Sequence, residues 1–224
     1  MTSQLVNQDT SFRVKFKVKG NLRFLSHSET VNLMIRACAR ARIILEHSQG
    51  FNPRPKISLP LPRPVAVASD DELMVIKINA VKDVDGNPLS YSEFDIKNAL
   101  QTQMPLGIEL LDVKNEKKSV QPASAEYRFS LTENVMPERV KNKISDLMNA
   151  EQIFVERISK PKQKAKKLEV RRFIKTIDLV DRDIFVKTLV TQNGSIRIDE
   201  IMELLDINQD SLEKPAQRTN IEWS

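Results

Sequence analysis

The sequence predicts an α+β fold made of two tandem ferredoxin-like (βαββαβ) domains with antiparallel sheets. Three observations predict it: short segments that alternate apolar and polar residues, serine and glutamate pairs with the spacing of a helix capping box, and an element order that recurs in the second half. This order places two helices on one face of a four-stranded sheet. The expected domains are residues 11–115 and residues 125–224, joined by a linker that contains Pro122.

The first half begins with a segment in which apolar and basic residues alternate perfectly, which is typical of a half-buried strand. A helix is expected after it, because Ser26 and Glu29 are spaced as in a capping box. Residues 22–25 are expected to be extended. The strands predicted in this half are residues 12–18, 43–45, 72–78 and 107–113. The helices predicted in this half are residues 27–42 and a second helix from Ser90 to about Met104.

The second half repeats the order but contains one strand more than a clean repeat needs. Its predicted strands are residues 126–132, 152–158, 168–177, 184–190 and 219–223, the last of them as a sheet edge. Its predicted helices are residues 137–149 and a helix through Leu205 that is capped by Ser195. Pro137 suits the first turn of a helix.

Composition excludes several classes of protein. The 224 residues are 40 % hydrophobic, and the single cysteine excludes an intrachain disulfide and a multi-cysteine metal or iron–sulfur site. No apolar stretch approaches the roughly 20 residues that a membrane span needs, and no phosphate-binding or hydrolase motif is present. We therefore expect a cytoplasmic protein with no cofactor, no metal and no membrane contact.

The net charge of +5 is distributed unevenly. Residues 11–63 carry +9 and residues 160–175 carry +7, whereas residues 64–115 and 176–224 each carry −5. Clustered lysine and arginine favour contact with a polyanion, because they release counterions from a phosphate backbone. The alternative is a solvated surface of uneven charge. The run at residues 160–167 is expected to be a flexible hairpin tip.

The loop at residues 47–56 is the strongest candidate for a functional site. Gly50 permits an unusual backbone conformation, Phe51 offers a ring for stacking on a base, and Asn52 offers an amide for a base edge. In the alternative, Phe51 fills the core and the prolines only shape a crossover. The residues predicted to bind RNA or a partner are Arg13, Lys15, Arg23, His27, Gln49, Gly50, Phe51, Asn52, Arg54 and Lys56.

His27 is the one candidate for a catalytic residue. It begins a predicted helix, where the helix dipole favours the neutral imidazole that a general base needs. The alternative is a structural histidine packed against the next loop. Cys38 lies on the apolar stripe of the same helix, with Val31, Met34 and Ile35, and is expected to be a small core residue.

Two stretches carry a resemblance to a known family: Gly20-Asn21-Leu22-Arg23-Phe24-Leu25-Ser26-His27 and Ser48-Gln49-Gly50-Phe51-Asn52-Pro53-Arg54-Pro55-Lys56. Together with the strand that precedes them, they resemble the radical SAM-linked domain family of bacteria, mainly over residues 11–115. The resemblance implies a radical SAM protein encoded nearby as the partner. The chain departs from the family at Arg54, where a histidine is common, which counts against a histidine-based active site.

These observations lead to one leading hypothesis and two alternatives. The leading hypothesis is an accessory protein without catalysis of its own that binds RNA (tRNA or rRNA), a radical SAM enzyme, or both. The first alternative is a pure protein–protein adaptor of that enzyme. The second is a metal-independent ribonuclease that uses His27, by analogy of fold with the repeat-processing RNA-binding proteins of CRISPR systems.

Overall fold

A computed structural model describes residues 10–79, 81–82, 88–89, 91–159 and 164–224. Within these residues the chain is a mixed α+β protein with four α-helices, eight sheet strands and two separate two-stranded hairpins. It divides into two compact units. Unit 1 comprises the described residues of Met1–Val65 and Asp70–Val120, and unit 2 comprises Ala66–Ser69 and Gln121–Ser224.

Unit 1 contains the strands and helices of the first half. Its elements in chain order are β1 (Thr10–Val18), α1 (His27–Arg40), β2 (Ile57–Ser58), β3 (Ala68–Ile78, of which the first two residues belong to unit 2), β4 (Val81–Lys82), β5 (Pro88–Leu89), α2 (Glu93–Gln101) and β6 (Ile108–Asn115). The sheet order is β2-β3-β1-β6, and both the β1–β6 and β2–β3 pairs are antiparallel. A separate hairpin joins β4 to β5.

The alternation predicted for β1 is confirmed. Phe12, Val14 and Phe16 are fully buried, whereas the basic residues between them are half-buried on the other face. The predicted capping box of α1 is also confirmed, because the Ser26 hydroxyl accepts from the Glu29 N–H at 3.3 Å while the Glu29 carboxylate accepts from the Ser26 N–H at 2.8 Å. The buried residues of β1 and α1 belong to one hydrophobic core.

The buried stripe of α1 differs in part from its prediction. Met34 and Cys38 are fully buried as expected, but Ala37 completes the stripe, while Val31 and Ile35 are only half-buried.

The strand predicted at residues 43–45 is wrong. Only Leu45 forms a bridge, to Ile78, and the strand that pairs with β3 is β2, twelve residues further on. The ladder is interrupted because the chain leaves β3 after Glu46 and returns at Lys56. The predicted extended segment at residues 22–25 is likewise replaced by a 3-10 turn, Gly20–Phe24.

The second helix of unit 1 begins later than predicted. Its N-cap is Ser92, whose hydroxyl accepts from the Asp95 N–H at 3.0 Å, and Ser90 lies outside the described residues. Ile96 and Leu100 are its fully buried residues, and they join the core formed by β1 and α1.

Unit 2 contains β7 (Pro122–Ser130), α3 (Pro137–Asn149), β8 (Phe154–Ser159), β9 (Lys164–Glu169), β10 (Ile174–Val180), β11 (Asp183–Leu189), α4 (Ile198–Leu204) and β12 (Gln217–Trp223). Its sheet order is β10-β11-β7-β12, with every pair antiparallel. The predicted helix at residues 137–149 is confirmed. β8 and β9 form a separate antiparallel hairpin.

Three predictions for unit 2 are wrong. The long strand at residues 168–177 is broken by a 3-10 turn, Arg171–Phe173, because the Arg171 guanidinium turns inward to the carbonyl oxygens of Met148, Ala150 and Ile174. The last helix begins at Ile198 with Arg197 as N-cap, not at Ser195. The last strand is not an edge, since β12 pairs with β7 on one side and with Ala68 and Ser69 on the other.

Gly107 occupies a position where a side chain does not fit. Its φ is +103°, and an added Cβ would lie 2.7 Å from the Lys19 carbonyl oxygen. Gly20 also has a positive φ, of +59°, but nothing lies within 4 Å of an added Cβ there. A side chain at Gly20 would therefore meet only the strain of a positive φ, whereas one at Gly107 would also clash with the backbone.

We expect Gly107→Ala to lower the free energy of unfolding by about 2–3 kcal/mol and Gly20→Ala by about 1 kcal/mol, because only the first adds a clash to the strain of a positive φ. Urea unfolding followed by circular dichroism measures both. Equal losses in the two variants would contradict the steric argument.

A partly buried ion pair ties the β8–β9 hairpin to α4. The Arg157 guanidinium donates to both carboxylate oxygens of Glu200, at 2.6 and 2.8 Å, and to the Ser195 carbonyl oxygen at 2.7 Å. Burial raises the pKa of Glu200, but the hydrogen bonds from Arg157 and from the Arg197 N–H outweigh it and hold the pKa below its ordinary value. The Glu200 hydrogen bond likewise raises the pKa of Arg157.

We expect Glu200→Gln to lower the free energy of unfolding by about 1.5–3 kcal/mol at neutral pH, the range for hydrogen bonds to charged groups. Because the folded-state pKa of Glu200 lies below the ordinary 4.5, its contribution is complete above that value and is lost as the pH falls through the folded-state pKa. The variant should therefore lose less stability than the native protein on acidification.

Denaturant unfolding across a series of pH values tests this expectation. Glu203→Gln is the matched control, because Glu203 is exposed on the same helix. If the control reproduced the effect of Glu200→Gln, the ion pair would not be its source.

Candidate nucleic-acid interface

In the strongest predicted site, the loop at residues 47–56, residues 48–54 project from a stem that is fixed to the sheet of unit 1. Glu46 N–H donates to the Lys77 carbonyl oxygen at 2.8 Å, and Lys77 N–H donates to the Lys56 carbonyl oxygen at 3.0 Å. The two arms also bond to each other, since Lys56 N–H donates to the Glu46 carbonyl oxygen at 2.6 Å. We call residues 48–54 the Phe51 loop.

The neck of the Phe51 loop is closed by two further hydrogen bonds. The Ser48 N–H donates to the Arg54 carbonyl oxygen at 2.8 Å, and the Arg54 N–H donates to the Ser48 hydroxyl at 3.0 Å. Gly50 adopts a φ of +134°, which L side chains rarely adopt. The loop is thus a closed hairpin tip whose backbone is held at its base.

Phe51 stands at this tip with its side chain entirely in solvent, at a relative exposure of 105 %. The interpretation in which Phe51 fills the core is therefore wrong. Gln49, Asn52 and Arg54 are exposed as well, so the same short loop presents one ring, two amides and a guanidinium to solvent. These are groups that stack on a nucleobase, bond to its edges and contact phosphate.

The other predicted cations are largely engaged within unit 1. Arg13 forms an ion pair with Glu116 at 2.6 Å and donates to the Lys118 carbonyl oxygen at 2.6 Å. Lys15 pairs with Asp71 at 2.9 Å, and Lys56 pairs with Glu46 at the stem of the Phe51 loop. Arg13 and Lys15 of β1 are consequently paired with carboxylates, and Arg54 is the cation that the loop presents to solvent.

The turn that leads to His27 is held by a residue that the sequence did not single out. Arg63 is buried and donates to the carbonyl oxygens of Leu22, Arg23 and Leu25 at 2.6–3.1 Å. The signal was its place between two prolines, Pro62 and Pro64, in an otherwise apolar stretch. Arg63 fixes the approach to α1 and is not a surface charge.

Arg23 and His27 lie at this turn and not on the Phe51 loop. The Arg23 guanidinium lies over the Phe24 ring, 4.2 Å from its centroid, and donates to the Gly20 carbonyl oxygen at 2.8 Å. His27 is exposed at the first position of α1, and no side chain among the described residues forms a hydrogen bond or ion pair with it. The structure brings together five predicted residues: Gln49, Gly50, Phe51, Asn52 and Arg54.

Three further features bear on reactivity, metal binding and membrane contact: the Cys38 thiol, the possible metal ligands and the length of the helices. Burial raises the pKa of the Cys38 thiol to about 12, so the thiolate that would react is not formed at neutral pH. Among the described residues, no group of three or more His, Cys, Asp or Glu side chains could hold a metal ion. No helix in the same part of the chain has the length and apolar character needed to cross a membrane.

Fold and site together define a class: a mixed α+β protein that presents an exposed aromatic loop from a fixed hairpin stem. The chain belongs to the family described as "Uncharacterized protein conserved in bacteria (DUF2344)", whose model matches residues 11–199. The match includes β1, the Phe51 loop and the β8–β9 hairpin. No curated protein matches the chain.

Proposed function

We propose that this chain is an accessory protein that binds single-stranded or looped RNA through the Phe51 loop and has no catalysis of its own. The observation that carries the proposal is the wholly exposed ring of Phe51 on a loop that also exposes Gln49 and Asn52. A ring that stacks on one base and amides that reach its edge are the common elements of RNA recognition.

The composition of the tip favours RNA over a protein partner. An anchor residue at a protein interface usually sits at the centre of an apolar patch, whereas the neighbours of Phe51 on the loop are mostly polar. Stacking on a single base needs one ring and tolerates polar surroundings. A radical SAM enzyme as the protein partner, to which the RNA is presented, is supported by the resemblance over residues 11–115.

We also propose that each unit is a ferredoxin-like domain. In both units the four sheet strands lie in the order second, third, first, fourth, which is β2-β3-β1-β6 and β10-β11-β7-β12. In unit 2 the β8–β9 hairpin is inserted between the first helix and the second sheet strand. This insertion accounts for the additional strand noted in the sequence.

We expect Phe51→Ala to weaken the binding of a fluorescently labelled single-stranded RNA of mixed sequence by roughly 5- to 150-fold. Loss of stacking on one base removes about 1–3 kcal/mol. Phe51→Trp should retain the affinity, because an indole ring stacks at least as well. Fluorescence anisotropy titration measures all three proteins.

Phe94→Ala is the matched control, because Phe94 is also an exposed phenylalanine of unit 1 and lies on α2. Equal effects of the two alanine variants, or no binding by the native protein, would contradict the proposal. Cleavage of the RNA by the native protein would favour the ribonuclease with His27. Unchanged RNA affinity in Phe51→Ala, with loss of a co-purified radical SAM enzyme, would favour the adaptor.

A further inference from the structure

The β8–β9 hairpin is a second projecting element, and its contacts differ from those of the basic strand β1. It pairs with no other strand in the described part of the chain. The face that contains Val155 and Leu168 is half-buried, and Arg157 on this face is bonded to Glu200 and Ser195 of unit 2. The hairpin is therefore held at one face and open at the other.

The open face combines apolar and basic side chains. Phe154 is 46 % exposed and Ile158 is 72 % exposed, and the Lys167 ammonium lies over the Phe154 ring, 4.6 Å from its centroid. The register places Ile158 opposite Ala165, so Phe154, Ile158, Ala165 and Lys167 share this face of the hairpin.

The lysines of β9 keep their charge available to a ligand. Lys166 and Lys167 are both exposed, Lys166 on the face of Arg157 and Lys167 on the open face, and neither forms an ion pair with a described residue. The Glu169 carboxylate accepts from the Arg171 N–H at 2.6 Å and lies 3.8 Å from the Arg172 guanidinium, so it is directed to the base of the hairpin. Glu156 is the one other carboxylate on the hairpin strands, opposite Lys167 in register.

We infer that the β8–β9 hairpin binds the phosphate backbone of the nucleic acid, with Lys166 and Lys167 as the phosphate contacts. The inference rests on the proposed function for the identity of the ligand as RNA. It assigns two of the phosphate contacts, and the salt dependence that they bring, to unit 2, in addition to Arg54 of the Phe51 loop. Unpaired lysines release counterions when they meet phosphates, whereas Arg13 and Lys15 of β1, which are paired with carboxylates, contribute less.

The test measures how the affinity for labelled RNA depends on salt concentration in the native protein and in Lys166→Gln/Lys167→Gln. We expect the slope of log Kd against log salt to fall by about 2 in the double variant, about one for each lysine that contacts phosphate. Lys141→Gln/Lys143→Gln is the matched control, because it removes the same charge from exposed positions of α3 in the same unit. It should leave the slope unchanged.

Circular dichroism confirms that the variants are folded. A DNA strand of the same sequence should show the same loss of slope, because lysine contacts the phosphate and not the sugar. A loss on RNA alone would overturn the assignment to the backbone. Equal slopes for the two double variants would also overturn the inference. So would hairpin-dependent binding to phosphatidylserine vesicles by a protein that binds no nucleic acid.

The two proposals fail in distinguishable ways. If Phe51→Ala lowers the affinity but Lys166→Gln/Lys167→Gln leaves the slope unchanged, the Phe51 loop binds RNA without the hairpin. If the slope falls while Phe51→Ala has no effect, the hairpin inference stands and the function proposed for the Phe51 loop fails.

Discussion

The backbone of one residue, Lys77 on β3, fixes both arms of the Phe51 loop. Its carbonyl oxygen accepts from Glu46 and its N–H donates to the Lys56 carbonyl oxygen, so both ends of the loop are closed on the sheet. The hydrogen bonds to Lys77 therefore offset the entropic cost of closing the loop. A ring exposed on a free loop would have to be ordered on binding, whereas Phe51 is presented from a stem that is already ordered.

Local signals in the sequence predicted the elements on which this stem depends. The alternation of β1 needs only its own residues, and the capping box of α1 needs only Ser26 and Glu29, so both are readable without knowledge of the fold. The same holds for the loop, since Gly50 and the surrounding prolines exclude regular structure. The sequence leaves open whether Phe51 is exposed or fills the core, because a sequence does not show which residues pack against its side chain.

The failures come from contacts between residues far apart in the chain. Arg63 turns inward because three carbonyl oxygens of a 3-10 turn, about 40 residues earlier, need donors. Arg171 interrupts the predicted long strand because the end of α3 offers it carbonyl oxygens. Both are arginines that a count of surface charge would place in solvent, and a buried guanidinium needs acceptors that local sequence does not reveal.

Ion pairs with residues far apart in the chain also change how much charge each of the two basic blocks presents to a ligand. The block at residues 11–63 has the higher formal charge, yet Arg13 and Lys15 are compensated by Glu116 and Asp71, which lie outside it. The block at residues 160–175 has the lower formal charge, but Lys166 and Lys167 are exposed with no described carboxylate in ion-pair contact. A phosphate backbone responds to uncompensated charge and not to segment totals, which is why we propose Lys166 and Lys167 of unit 2 as phosphate contacts. On this proposal the Phe51 loop of unit 1 adds stacking and hydrogen bonding, the contacts that distinguish one base from another.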